Sequence, residues 1–229
     1  MHAVASMNTA NIQELADHTD ATKKEYCERY GYHWSVLTEA DFVLKTEPYS
    51  VWMDFNKPHF IMNLFNKQPD IEWLLFTECD ATITNLTVPI EDKIDNDYHV
   101  VIPVDRLNLN SGNFLIRNSQ QGRAYVQAMI DRAVNYEKDQ GPGSTLKDKW
   151  GIQQFMIDTL DEFANIIKIV PQRYMNSYQQ ELYDYCDVRT DIMGTSGEWQ
   201  SGDWIVHWPG VTNAARLAHC KNLPGMIVR

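Results

Sequence analysis

Glu78 and Asp80 stand one residue apart at the end of the apolar run Trp73-Leu74-Leu75-Phe76, a carboxylate pair suited to holding a cation. Side chains alternate along a strand, so carboxylates at i and i+2 point the same way. Hard oxygen ligands suit Mg²⁺ or Mn²⁺, either of which can bridge to a diphosphate. The bland alternative is a solvated acidic turn. His207 lies in the run Asp203–Trp208, where Asp203, Ile205 and His207 share one strand face. It is either a satisfied core histidine or the third member of a mixed nitrogen–oxygen site, and nitrogen favours Mn²⁺ over Mg²⁺. Trp208-Pro209-Gly210 then predicts a tight loop near a phosphate. In Leu109–Asn118, small polar residues around Gly112 allow a ligand to approach the backbone closely, leaving amides and hydroxyls for sugar hydroxyls. Gln153 and Gln154, on an expected helix, offer further hydrogen bonds to a sugar, or simply decorate a helix surface.

These residues need a scaffold, and the sequence predicts one. Residues 2–7 read as a buried parallel strand. The turn Asn8-Thr9-Ala10-Asn11 then offers capping side chains for a helix over 11–30, closed by Gly31. Strands are expected at 33–37, 71–77, 99–104, 113–117, 166–170 and 203–208. Pro58 is expected to start a helix at its first position, carrying Phe60, Ile61, Leu64 and Phe65 on one side. Further helices are expected at 119–137 and 151–164, joined by a flexible loop containing Gly141-Pro142-Gly143-Ser144, and a short one near 212–220. Residues 174–202 carry no regular signal. The βαβα rhythm predicts an α/β fold with a mostly parallel central sheet flanked by helices. A chain of 229 residues without internal repeats is expected to form a single domain over 1–229.

Bulk properties exclude several classes. The net charge is −11, with 31 acidic against 20 basic residues, and no basic cluster that would neutralise nucleic-acid phosphates. A polyphosphate ligand is repelled by that average field unless a bound cation or local donors reverse it. No apolar run approaches the ~18 residues of a membrane helix, and no signal peptide is evident. Cys27, Cys79, Cys186 and Cys220 are widely spaced and read as free thiols. The expected location is the cytoplasm or another soluble setting, or the Golgi lumen if an N-terminal anchor lies outside this chain. Asn85-Leu86-Thr87 is a sequon of a kind that arises often by chance. Walker, GxGxxG, GxSxG and HExxH signatures are absent.

Taken in order, the segments resemble a family of glycosyltransferases that includes yeast galactosyl- and mannosyltransferases and plant xyloglucan xylosyltransferases (glycosyltransferase family 34-like). The resemblance runs through Ser6-Met7-Asn8, Lys23-Lys24-x-Tyr26-Cys27-x-x-Tyr30-Gly31-Tyr32, Lys57 and Pro69-Asp70-Ile71-Glu72-Trp73. It continues through Glu78-Cys79-Asp80-Ala81, Asn110-Ser111-Gly112-x-Phe114-Leu115-Ile116-Arg117-Asn118-Ser119, Gln153-Gln154, Val170-Pro171-Gln172 and Met175-Asn176-Ser177-Tyr178. It ends in Gly202-Asp203-Trp204-Ile205-Val206-His207-Trp208-x-Gly210.

The resemblance implies the GT-A fold, a Rossmann-like sheet whose D-x-D motif holds a donor diphosphate through Mn²⁺ or Mg²⁺. Asp80 and His207 are then the expected direct metal ligands, with Glu78 beside them on donor ribose, sugar, metal or metal-bound water. Ser6 and Asn8 fall at the nucleotide end of the first strand, and Lys57 is expected near nucleotide or phosphate. Asn110, Ser111, Gly112 and Gly210 map to donor contacts, and Asp80, Gln153 and Gln154 to the reacting centre. The implied partners are a nucleotide-sugar donor, UDP-linked in preference to GDP-linked, and a glycan or glycoconjugate acceptor. Retention of anomeric configuration is implied. An inverting enzyme would need a base such as Asp187, Asp191 or Glu198.

Three departures stand out. Glu78 replaces the first Asp of the motif, Val211 replaces a cysteine, and no lysine follows to grip the diphosphate, leaving Arg216, Lys221 or no residue to substitute. A degenerate nucleotide-sugar- or glycan-binding protein is the alternative function. A nucleotidyltransferase ranks below it, because the turn after the first strand lacks a glycine-rich basic loop.

Overall fold

A computed structural model describes residues 1–44, 51–140 and 150–229. The glycine-containing loop expected at 141–144 lies outside the described residues. The strands are β1 (His2–Asn8), β2 (His33–Thr38), β3 (Trp73–Thr77), β4 (Ala81–Ile83), β5 (Val100–Pro103), β6 (Asn113–Arg117), β7 (Ile167–Val170) and β8 (Ile205–His207). The α-helices are α1 (Gln13–Tyr30), α2 (Asn56–Lys67), α3 (Gln120–Gln140), α4 (Ile152–Asp158), α5 (Leu160–Phe163), α6 (Asn213–Cys220) and α7 (Leu223–Met226).

The main sheet has the order β2-β1-β3-β6-β5-β7. β1 pairs in parallel with both β2 and β3, and β5 pairs in parallel with β7. β6 runs antiparallel to both of its neighbours, β3 and β5. Alternation along β3 shows why the sheet is buried on both faces. Leu74 and Phe76 join Ala3, Phe114 and Ile116 in a core covered by α2, α3 and α4. Trp73 and Leu75 join Val4, Leu115, Tyr26 and Trp204 on the other side. An apolar run without polar alternation is what such a doubly covered strand requires.

α1 covers that second face with Tyr26 and Cys27, and it ends at Gly31 with φ 67°, the left-handed conformation expected of a terminating glycine. Pro58 sits at the third rather than the first position of α2, which begins at Asn56. A first-turn N–H has no intrahelical acceptor, so proline still costs no hydrogen bond there. The helix expected over 151–164 is interrupted at Thr159, whose hydroxyl donates to the Phe155 carbonyl at 2.8 Å.

The strand expected over 203–208 contracts to Ile205–His207, because its partner β4 is only three residues long. Asp203 instead turns out to meet Arg173 at 2.7 Å. In the sequon, the Asn85 amide donates to the Gly202 carbonyl, and its oxygen accepts from the Thr87 amide and hydroxyl. Both ends of that side chain serve the fold.

Candidate active site

β3 ends at Thr77, opposite Asn113. The chain then turns through Glu78, Cys79 and Asp80, with the Ala81 amide donating to the Glu78 carbonyl, and enters β4. β4 runs antiparallel to β8 with Ala81 opposite His207, and the Trp208 amide donates to the Asp80 carbonyl at 3.0 Å. This two-stranded ladder joins segments more than a hundred residues apart. Asp80 Oδ1 lies 3.2 Å from His207 Nε2, and Glu78 Oε2 lies 3.9 Å from the same nitrogen. One ligand atom from each of the three residues falls within 4.8 Å of the others. Asp80 and His207 are buried, whereas Glu78 reaches solvent.

The imidazole is held from behind. Asn176 Oδ1 lies 2.7 Å from His207 Nδ1 and also accepts from the Asn113 amide at 3.1 Å. An acceptor on that side takes the Nδ1 proton, so Nε2, turned toward the carboxylates, is the nitrogen a metal would use. Gly112 lies against the ring: a β-carbon there would stand 2.2 Å from His207 Cε1. Its carbonyl accepts from the Glu78 amide at 2.9 Å, so one glycine touches both ends of the triad.

The charges are balanced locally. Burial alone would push the Asp80 carboxyl up, but His207, Arg216 and Lys23 hold it well below the usual carboxylate range. Arg216 Nη2 lies 2.5 Å from Asp80 Oδ2. Lys57 is fully buried and pairs with both Asp54 and Glu78. Burial favours its neutral amine, yet the two carboxylates outweigh that and raise its pKa. Asp54 also accepts from the Ile152 amide at 2.8 Å, anchoring the start of α4 beside the site. Two carboxylates and an imidazole nitrogen turned toward them suit a divalent cation.

The other expected residues surround this centre. Ser6 and Asn8 are buried at the end of β1. Lys23, also buried, donates to Ser6 Oγ, to Asp20 and to the Glu78 carbonyl at 2.8 Å, tying β1 to the metal-motif turn. Asn8 donates to Asp20, while its own carbonyl oxygen has no hydrogen-bond partner among the described residues. A cleft of about 270 Å³ opens here, lined by Met7, Thr9, Asn11, Glu78, Asp80 and Arg216 among others. Asn110 donates to Asp105 and to the Tyr178 hydroxyl, and the Ser111 amide donates to Gln153 Oε1 at 3.3 Å. Gln153 thus meets the Asn110–Gly112 wall. Gln154 instead bonds Asp158, one turn along α4. Gly210, with φ 72°, lies close to the hydroxyl of exposed Tyr185.

Several of the expected residues take partners within the fold. Lys57 belongs to an ion-paired cluster with Asp54 and Glu78. Of the two suggested substitutes for the missing lysine, Arg216 reaches Asp80, whereas Lys221 is exposed at the end of α6. Asp191, one of the suggested bases, is consumed by four hydrogen bonds within its own loop and from the Gln172 amide. Asp187 and Glu198 flank Arg189 at the surface. The supporting role of Asn176 carried no signal beyond the segment that contains it, and that of Asp54 carried none.

Comparison with known proteins gives this geometry a context. The sequence model of the galactosyl transferase GMA12/MNN10 family matches residues 3–96 and 92–218. A probable alpha-1,2-galactosyltransferase, gmh2 of Schizosaccharomyces pombe, is 21% identical over 199 residues, covering 70% of this chain and 51% of that protein. An alpha-1,2-galactosyltransferase of the same yeast is 20% identical over 244 residues, covering 89% and 58%. The chain therefore spans little more than half the length of these relatives. Among solved structures, a glycosyltransferase involved in glycosylation of the major capsid of PBCV-1 superposes with a TM-score of 0.68 at 15% identity, covering 96% of this chain and 98% of that one. The galactosyltransferase LgtC, in complex with donor and acceptor sugar analogues, gives 0.60 at 13%, covering 99% and 96%. Likeness at such identities is likeness of fold, here the GT-A arrangement.

Proposed function

The chain belongs to the galactosyl transferase GMA12/MNN10 family, and from that premise we propose that it transfers a sugar from a nucleotide-diphosphate donor to a glycan hydroxyl with the help of a divalent metal. The observation that carries the reading is the convergence of Glu78, Asp80 and His207 on one point beside an open cleft. Asp80 and His207 would hold the metal directly, with Glu78 at its side. Bound there, Mn²⁺ or Mg²⁺ would supply Lewis-acid neutralisation of charge on the departing diphosphate. It also answers the repulsion that a chain of net charge −11 exerts on a polyphosphate.

The chain's own residues divide the remaining work. Ser6 and Asn8 lie where the nucleotide would sit, and the Asn110–Gly112 wall with Gln153 faces the donor sugar. Lys57 and Arg216 keep the acidic cluster from repelling the phosphates. In transfer, the bond from the anomeric carbon to the phosphate oxygen breaks and its electron pair leaves with the diphosphate. The acceptor oxygen bonds that carbon, and its proton passes to the leaving phosphate. This front-face, retaining course needs no protein base, in keeping with the hydrogen-bonded state of Asp191. A UDP-sugar is the favoured donor and a GDP-sugar the second choice.

Glu78 motivates the other reading, a nucleotide-sugar- or glycan-binding protein without turnover, because its carboxylate is drawn to Lys57. Donor hydrolysis assays with UDP- and GDP-sugars, with Mn²⁺ and with chelator, decide between them. Metal-dependent turnover that disappears in Asp80→Asn and in His207→Ala is the expected result. Binding without turnover across the donor panel would leave the binding protein, and full activity in both variants would remove the proposed centre.

A further inference from the structure

A second cavity, of about 340 Å³, is lined by residues that meet the Trp208 side chain. Its lining includes Gln179, Glu181, Glu198, Trp199, His219 and Asn222. Trp208 joins the two places: its backbone amide donates to the Asp80 carbonyl, and its indole N–H donates to Gln179 Oε1 at 2.7 Å. Its ring also meets His219 edge-on at 5.7 Å. The volume falls in the range of ligand pockets and far exceeds the ~30 Å³ share of one water.

Two buried polar groups in this lining are poorly served. His219 is 8% exposed, and its Nε2 has no hydrogen-bond partner among the described residues, the Glu181 carboxylate standing off at 3.6 Å. Gln179 is 7% exposed, and its amide nitrogen is placed only against the Met226 sulfur, at 3.9 Å. Buried polar groups are normally hydrogen-bonded, so two weakly served ones in one cavity call for a ligand. The ligand must present both donors and acceptors. Carboxylates of Glu181 and Glu198 only accept, whereas the Gln179 amide nitrogen only donates. A hydroxyl does both, and Trp199 adds a flat apolar ring. Two carboxylates in an acidic chain disfavour an anion.

We propose that this cavity binds a neutral sugar unit, remote from the transferred one, of the glycan that serves as acceptor. Its identification as acceptor rests on the transferase reading; sugar binding itself does not.

The test is ligand-observed NMR on the full chain with methyl α-galactoside, methyl α-mannoside and methyl α-glucoside, and N-acetylneuraminic acid as the anionic control. Saturation transfer to at least one neutral glycoside is expected, undiminished by Asp80→Asn. Trp199→Ala and Glu198→Gln should each weaken it at least tenfold, and Asn222→Phe, which plugs the cavity, should abolish it. Trp199 also donates to Thr84, so the other two variants carry the test if Trp199→Ala does not fold. Absence of binding by all three glycosides, or binding lost in Asp80→Asn but kept in Asn222→Phe, overturns the proposal. Mn²⁺–UDP binding measured on the same samples reports separately on the transferase reading.

Discussion

His207 Nδ1 lies 2.7 Å from Asn176 Oδ1, and that contact turns Nε2 toward Asp80 and Glu78. Asn176 is itself fixed by Asn113 at 3.1 Å, so the ring is held by a relay of amides. Removing such an outer partner of a ligating histidine typically costs 10–100-fold in metal affinity. Asn176→Ala should therefore bind Mn²⁺ roughly 10–100-fold more weakly while keeping its far-ultraviolet circular dichroism. Unchanged affinity in a direct Mn²⁺ titration would show that the relay does not set the tautomer.

Gly112 is constrained by closeness rather than by its dihedral angles. A methyl group there must displace His207, since 2.2 Å is far inside contact distance of Cε1. Misplacement of a reacting group by about 1 Å can cost roughly 10²-fold. Gly112→Ala is expected to lose activity on that scale, with a smaller loss of thermal stability. Equal kcat and KM in variant and wild type would mean that the ring is free to move aside without consequence.

Arg216 should produce effects of opposite sign on two ligands. Its guanidinium neutralises Asp80 and is held in place by the Trp208 carbonyl and Asn213. Arg216→Ala exposes more negative charge to a cation, so Mn²⁺ alone should bind more tightly. The nucleotide diphosphate loses a positive neighbour and should bind about tenfold or more weakly, the scale of one charge-assisted hydrogen bond. Calorimetry of Mn²⁺ and of Mn²⁺–UDP separates the two. Changes of the same sign would contradict this assignment.

Lys57 is a structural cation whose loss leaves two carboxylates facing each other. It is fully buried between Asp54 and Glu78. Removing one member of such a group typically costs ~3–5 kcal/mol, with partial exposure of the acids placing this case at the lower end. Lys57→Met should thus fall by about 3 kcal/mol in urea unfolding. The double variant Lys57→Met with Glu78→Gln should recover part of that loss.

The sequence made the sheet, its flanking helices and the triad legible for different reasons. Trp73–Phe76 announced itself as an apolar run, and Gly31 marked the end of α1 at a position that demands a positive φ. Glu78, Asp80 and His207 were found because ligand chemistry restricts residue type and their motifs are ordered along the chain. β4 was not legible. Ala81–Ile83 is too short to show a period, and its strand character comes from pairing with β8, more than a hundred residues away. Asn176 and Lys23 were hidden for a related reason. Their roles depend on neighbours across the fold, His207 for one and Glu78 for the other.

Asp191 offers a test of loop stability that leaves the triad untouched. It is 4% exposed, and it accepts from the backbone amides of Gln172, Met193 and Thr195 and from the Thr195 hydroxyl. Burial pushes its pKa up, but the Gln172 amide and the Thr195 groups prevail, so the folded value lies below the ordinary carboxylate value. An unfolded aspartate titrates near ~3.9. The stabilisation is therefore complete above that pH and is lost as pH falls through the lower folded value. At pH 7, Asp191→Ala should cost roughly 3 kcal/mol, because several buried donors lose a charged acceptor at once. Asp191→Asn should flatten the acid limb of the stability profile, since its side chain does not titrate. Urea midpoints collected between pH 7 and pH 2 read both effects, and an acid limb of equal steepness in Asp191→Asn and wild type would assign that limb to other carboxylates.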